Sequence, residues 1–285
     1  MRVRMQIDIL TLFPEMFEGF LVHSILGRAR EAGRLGIRLV QWRDYALDKH
    51  HVVDDAPYGG GAGMVLKCEP LFRALEDLRA PDETFPQTQV VYLSPQGQPF
   101  SQAVACELAR DARRLILVCG HYEGVDQRAC ETLFDREISI GDYVLTGGEL
   151  AAAVVADAVA RLLPGVLGND ESALHESHMT GIFDHPHYTR PEVFRDLAVP
   201  PILLGGHHAK IEAWRRKEAL RKTLRVRPDL IEKVELSKAD RKMLAEIARE
   251  AAGEGQGPVA GGTPEAPGER DRCGQSGETG GIEGL

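Results

Sequence analysis

Ser139-Ile140-Gly141-Asp142-Tyr143-Val144-Leu145-Thr146-Gly147-Gly148-Glu149 joins a short apolar strand to a long apolar helix through a glycine-rich bend. Such a junction exposes backbone N–H and C=O groups to a bound molecule, and adjacent glycines let that molecule come close. The bend has neither the GxGxxG spacing of a dinucleotide loop nor the GK[ST] ending of a P-loop. Its chemistry is therefore recognition of a ligand by backbone, with no phosphate chain to cradle. Leu93-Ser94-Pro95-Gln96-Gly97 and Cys119-Gly120-His121-Tyr122-Glu123-Gly124-Val125-Asp126 also follow predicted strands, and Tyr58-Gly59-Gly60-Gly61-Ala62-Gly63-Met64 adds a fourth glycine-rich loop. In open α/β sheets ligands sit at the carboxyl ends of the strands, so the three strand-following loops are expected to converge on one crevice. Thr146 and Glu149 also fit a capping box, with Thr146 accepting from the Glu149 N–H and Glu149 reaching back.

Other residue types suggest acid–base, metal or phosphate chemistry. Asp170, Glu171, Glu176 and Asp184 lie in or beside a polar stretch over 168–180, where a mobile carboxylate could act as general base once substrate orders it. Among ten histidines, His175-x-x-His178 and His185-x-His187 have possible metal-ligand spacing, whereas His50-His51 and His207-His208 are adjacent pairs that point apart on a regular element. No cysteine cluster or HExxH helix accompanies them, so a surface or phosphate-contacting role is the expectation. His207, His208, Lys210, Arg215, Arg216, Lys217, Arg221, Lys222 and Arg225 share one predicted helix with Trp214. Residues 206–228 carry eight Lys/Arg and two Glu, a local +6 suited to a phosphate backbone. The alternative is a solvated face with Ile211 and Trp214 in the core.

The elements that must position these groups are read from periodicity. Over about 165 residues strand and helix signals alternate, which predicts an α/β domain with a largely parallel sheet. Strands are expected over 7–12, 37–42, 89–93, 115–119 and 137–140. Helices are expected over 16–32, 70–78, 102–111, 127–134 and 150–163, the last stopped by Pro164 and Gly165. The predicted organisation is an α/β domain over 1–167, a flexible linker over 168–180, a small mainly helical unit over 181–250, and a disordered acidic, glycine-rich tail over 251–285. In the helical unit, helices are expected over 207–224 and 238–251, the second capped by Ser237 with Asp240 three residues on.

Composition sets the frame. The 285 residues are 43% hydrophobic and 27% charged, as in a globular protein. The net charge is −9, but six acidic residues and two arginines in the tail account for −4 of it. A negative total can thus coexist with a basic face. The five cysteines include no CxxC pair, and their odd number argues for a reduced, cytoplasmic setting. No segment reads as a signal peptide or approaches the roughly 20 apolar residues of a membrane span.

With Leu12-Phe13-Pro14-Glu15-Met16-Phe17, Pro164-Gly165-Val166-Leu167 and His185-Pro186-His187-Tyr188-Thr189-Arg190-Pro191 added to the loops above, the motifs occur in an order that resembles the bacterial tRNA (guanine-N1)-methyltransferases, over about residues 5–250. The resemblance implies a SPOUT-type fold with a C-terminal trefoil knot, and an obligate homodimer with shared active sites. It implies S-adenosylmethionine as cofactor, tRNA as substrate, and 1-methylguanosine at position 37, after a guanosine at 36, as product. Carried over by residue, the cofactor pocket would use Leu93, Ser94, Pro95, Gly120, Gly124, Ser139, Ile140, Tyr143, Leu145, Gly147 and Gly148. Arg161 would face guanine O6. Glu176, standing where the family has an aspartate, would be the base, with Asp184 as the second choice. Magnesium would be expected near Glu123. A non-catalytic tRNA-binding module would not need Arg161 and Glu176, and a nucleotide-dependent enzyme would need the missing phosphate loop.

Overall fold

The computed structural model describes residues 3–79, 87–168 and 176–254, the side chains of 253 and 254 excepted. The tail from 255 onward and most of the predicted linker, 169–175 with its His175, lie outside the described residues. Strand β1 is Met5–Thr11, followed by a 3-10 turn at Pro14–Phe17, α1 (Glu18–Val22), α2 (Ser24–Glu31) and β2 (Leu35–Gln41). A small hairpin of β3 (Asp54–Asp55) and β4 (Val65–Leu66) leads to α3 (Cys68–Arg79). Then come β5 (Thr88–Pro99), α4 (Gln102–Asp111), β6 (Arg114–Cys119), α5 (Gln127–Leu133), β7 (Arg136–Ser139) and α6 (Glu149–Ala160). The five long strands pair in the order β2-β1-β6-β5-β7, all parallel.

Alternation along the strands divides the core into two layers, as a period of 2 requires. Ile7, Ile9, Leu115 and Leu117 face α1, α2, α4 and α6, whereas Leu10, Ile116 and Val118 face α3, α5 and Trp42. All six residues of β6 are buried, as expected of a central strand covered on both sides. Asp8 lies at full burial on β1. Its carboxylate accepts from Arg114 Nε at 2.6 Å, Arg38 Nε at 2.9 Å and Gln6 Nε2 at 2.9 Å.

The predicted helix over 16–32 is three pieces. The chain is extended at His23, and Ser24 sits at φ 57°, so the apolar pattern continues while the backbone ladder does not. The short β3–β4 hairpin and a second one, β8 (Val193–Phe194) with β9 (Leu197–Ala198), escaped the sequence reading because two-residue strands leave no alternation to detect.

The C-terminal part is mainly helical: α7 (His208–Val226), α8 (Pro228–Lys233) and α9 (Lys238–Glu254). Ile182, Ala219, Leu220 and Ile247 form its own apolar cluster. The expected cap at Ser237 is present, with Asp240 N–H donating to Ser237 Oγ at 3.1 Å and Ser237 N–H to Asp240 Oδ2 at 3.0 Å. Ile211 is buried, while Trp214 is half-buried against Tyr188.

Candidate active site

The cleft at the carboxyl ends of the strands is built by an irregularity in β5. Ile138 of β7 pairs with both Leu93 and Gln98, so residues 94–97 bulge out of the sheet and form one wall. Gly97 must be glycine here, because a Cβ would lie 2.5 Å from Ile138 N. The opposite wall is the loop after β6. Gly148 N–H donates to Gly120 O at 2.8 Å, His121 bridges to Gly147, and a Cβ on Gly148 would lie 2.7 Å from Cys119 Cα. The paired glycines therefore serve close backbone approach.

All eleven residues expected to hold the cofactor line this single cleft of about 360 Å³: Leu93, Ser94, Pro95, Gly120, Gly124, Ser139, Ile140, Tyr143, Leu145, Gly147 and Gly148. Glu123 also lines it, as do Gln96, Glu137 and Tyr92. Burial raises the Tyr92 phenol well above its ordinary pKa, which keeps it neutral. The fourth glycine loop, 58–64, is largely exposed and absent from the cleft lining, meeting it at Glu123, whose N–H donates to Met64 O at 3.0 Å and whose side chain lies against Gly63.

Glu149 corrects one expectation. The residue before α6 is Gly148 and carries no side-chain cap, so Thr146 and Glu149 do not form a capping box. Glu149 is instead buried, accepting from Thr11 Oγ1 at 2.7 Å and paired with His121 Nε2 at 2.8 Å. A carboxylate at the first turn of a helix is also favoured by the helix dipole. Neither Thr11 nor His121 was singled out by sequence. Their partner is 138 and 28 residues away respectively, and no local pattern reports such a pairing.

Arg161 and Glu176 come together elsewhere. Arg161 Nη1 and Nη2 donate to the two Glu176 oxygens at 2.5 and 2.8 Å, a bidentate pair with each side chain 31% exposed. The hydrogen bonds it donates to Glu176 hold the Arg161 guanidinium above its usual pKa. This pair sits beyond the carboxyl end of α6, beside Arg4 and Arg113 at the amino ends of β1 and β6. The cleft opens at the other end of the same twelve-residue helix, about 18 Å away at 1.5 Å per residue. Within one chain the predicted cofactor residues form one site and the predicted catalytic pair another.

Asp184 is a third location. Its N–H donates to Ser177 Oγ at 2.9 Å, and its carboxylate meets His185 Nδ1 at 2.7 Å and His187 Nε2 at 3.0 Å. Partial burial acts upward on its pKa, but the His187 side chain and the His185 backbone together hold it below the usual carboxylate range. The basic helix is less basic than its sequence. Arg216 is tied to Asp240, Lys217 to Glu246 and Glu250, Arg221 to Glu218 and Glu250, and Arg215 to Glu212. Lys210, Lys222 and Arg225 have no ion-pair partner among the described residues, so the free positive charge is concentrated on a few side chains.

A parallel α/β sheet carrying a backbone-lined cleft at its carboxyl edge defines a ligand-binding α/β enzyme scaffold. Comparison with known proteins narrows the class. Residues 5–233 match the family described as tRNA (Guanine-1)-methyltransferase TrmD. A tRNA (guanine-N(1)-)-methyltransferase of Dehalococcoides mccartyi is 58% identical over 246 residues, covering 86% of this chain and 98% of that relative. Enzymes of the same name from Chloroflexus aggregans (58% over 255 residues, 88% of this chain and 98% of the relative) and Bacillus cereus (55% over 246 residues, 86% and 100%) are similar over the same extent. The chain belongs to the tRNA (guanine-1)-methyltransferase TrmD family.

Proposed function

We propose that this protein transfers a methyl group from S-adenosylmethionine to N1 of guanosine 37 in tRNA, where guanosine 36 precedes it, giving 1-methylguanosine. The observation that carries this reading is the convergence of all eleven expected cofactor residues in one phosphate-loop-free cleft, in a chain of this family. The cleft suits the cofactor. Its glycine-rich walls offer backbone N–H and C=O groups to the edges of an adenine, and Ile140 and Leu145 offer apolar contact to the ring. When bound, S-adenosylmethionine supplies an electrophilic methyl on a sulfonium. Magnesium belongs to the reading, with Glu123 as its acidic residue. Magnesium is commonly held through one or two carboxylates plus water, and Glu137 also lines the cleft.

The chain's own residues then have definable tasks. Guanine presents an O6 acceptor beside an N1–H donor. The Arg161–Glu176 pair presents a donor beside an acceptor, the complement of that edge. Entry of the base would open the pair, with O6 accepting from Arg161 and N1–H donating to Glu176. Glu176 takes the N1 proton as the N1 lone pair forms its bond to the methyl carbon and the sulfur–carbon bond breaks. Arg161 stabilises the negative charge that develops at O6. Asp184, already engaged by two histidines, is the alternative base.

We further propose an obligate homodimer with active sites shared between subunits. Two features support it. The cleft and the Arg161–Glu176 pair of one chain lie at opposite ends of α6, so a second copy is needed to bring them together. Leu150 and Val154 are 56% and 45% exposed, on the same stripe of α6 as Arg161, and Leu150 lines one groove with the exposed Met16. Apolar groups so grouped on a surface mark an interface. A trefoil knot belongs to the same reading. It is supported by β7 lying at the sheet edge while the chain that follows returns past Gly120 to pack α6 on β6 and β1. The helical part after about 181, with its separate apolar cluster and its free lysines, would be a small tRNA-binding domain. We place the protein in the cytoplasm. Its four described cysteines are unpaired, and no helix of the described residues is long and apolar enough to cross a membrane.

The decisive experiment incubates purified protein with methyl-labelled S-adenosylmethionine and tRNA transcripts bearing G36-G37 or A36-G37, then maps the product by nuclease digestion and mass spectrometry. The reading expects 1-methylguanosine at position 37 of the first transcript. Label at another atom or base, or equal label on both transcripts, would overturn it.

A further inference from the structure

We propose that Asp184, His185 and His187 form a binding site for a divalent first-row transition ion, such as zinc or cobalt, in each chain. The Asp184 carboxylate lies 2.7 Å from His185 Nδ1 and 3.0 Å from His187 Nε2, and the three prospective ligand atoms fall within 4.8 Å of one another. Ligands at about 2.0–2.2 Å from zinc stand about 3–3.6 Å apart, so closing this set on an ion needs only small side-chain adjustments. Two imidazoles and a carboxylate are the donors such ions select over magnesium.

The backbone prepares the set. Residues 183–189 run without helix or strand, and His185 and His187 at i and i+2 bring their rings to 4.4 Å between centroids. Pro186 fixes the φ between them, and Ser177 Oγ holds the Asp184 N–H. Among the described residues this is the only group of three or more His, Cys, Asp or Glu side chains placed to share an ion. The two histidines also line a cavity of about 960 Å³ whose walls include Arg190 and Arg215. Three protein ligands leave coordination positions open for water or a further ligand, and the cavity walls carry mixed charge, with Arg190 and Glu192 beside Arg215, itself paired with Glu212. An ion here would hold Asp184 as a ligand and remove it from candidacy as a base.

The simpler alternative is a carboxylate accepting hydrogen bonds from two histidines, and the test separates the two. The full-length protein is treated with chelator, dialysed and titrated with Co2+ while visible d–d absorption is followed. The proposal expects one Co2+ per chain at micromolar concentration, displaced by Zn2+ and not by millimolar Mg2+. H187A and H185A should each weaken binding by about tenfold or more, while E123A binds as wild type. H187Q is the substitute if H187A fails to fold. As an independent reading, Zn2+ should raise the Tm of wild type and not of the histidine variants. Cobalt bound only at millimolar concentration, or bound equally by wild type and both histidine variants, would overturn the site. No tRNA or S-adenosylmethionine is present, so failure here leaves the methyltransfer reading intact, and failure of that reading leaves this test unaffected.

Discussion

Glu176 and Arg161 are joined by two hydrogen bonds, which makes the two side chains testable as a unit. Replacing Glu176 with Gln keeps the shape and one of the two bonds accepted from Arg161 but removes the carboxylate proposed as base. Turnover should fall about 10²–10⁴-fold, while calorimetric affinity for S-adenosylmethionine stays near wild type, since the cleft is remote. Near-normal turnover would show that Glu176 is not the base. A structural prediction concerns Asp8. D8N leaves Arg114, whose side chain is 8% exposed, facing a neutral amide. Breaking a buried pair in this way should cost about 3–5 kcal/mol in urea unfolding. Asp8 and the Glu149–His121–Thr11 group were illegible in the sequence for the same reason. A buried charge is explained by partners that sit tens of residues away along the chain, and local pattern reports only neighbours. The eleven cleft residues were legible because glycine pairs and the turns after strands are themselves local signals, and because the motifs holding them match a family in order.

The cleft depends on how α6 begins. G148A would set a methyl 2.7 Å from Cys119 Cα and 2.8 Å from Gly120 N, both backbone atoms that cannot turn aside. We expect about 1–3 kcal/mol of lost stability from overpacking, and weaker S-adenosylmethionine binding as the two loops part. Unchanged affinity would show that the loops tolerate separation. At the other end of the molecule, the first turn of α9 titrates. The guanidinium of Arg216, with bonds from Ser237, lowers Asp240 to about 2. A depressed carboxylate stabilises above its unfolded pKa and loses that contribution as pH falls through its folded value. The C-terminal helices should therefore lose about 2 kcal/mol between pH 4 and pH 2. D240N should show a flatter acid limb by circular dichroism. Elements with full periodicity, such as α4 and the buried β6, were readable from sequence to within a residue. The break at Ser24 was not, because the apolar spacing runs through it and only the backbone turns.

At the scale of the whole molecule, the separation of the cleft from the Arg161–Glu176 pair, read with the proposed dimer, makes a prediction that a monomer could not satisfy. R161A and G148V chains should each be nearly inactive alone. Unfolded and refolded together in equal amounts, they should recover about a quarter of wild-type activity, since about half the dimers are mixed and each has one intact site. No recovery would mean that Arg161 serves the cleft of its own chain. The proposed knot and pairing of two chains are the parts least accessible to sequence rules, which have no local signature for threading or for a partner. The exposure of Leu150 and Val154, on a helix whose other apolar residues are buried or half-buried, is the feature that supports the pairing. In the proposed dimer helix α6 would act as a spacer of fixed length and phase. One inserted residue would swing Arg161 by about 100° off the stripe, and seven would restore its bearing but carry it about 10 Å too far. In the proposed dimer residues within α6 can change, whereas a change in the number between Gly148 and Arg161 would need a matching change in the partner surface.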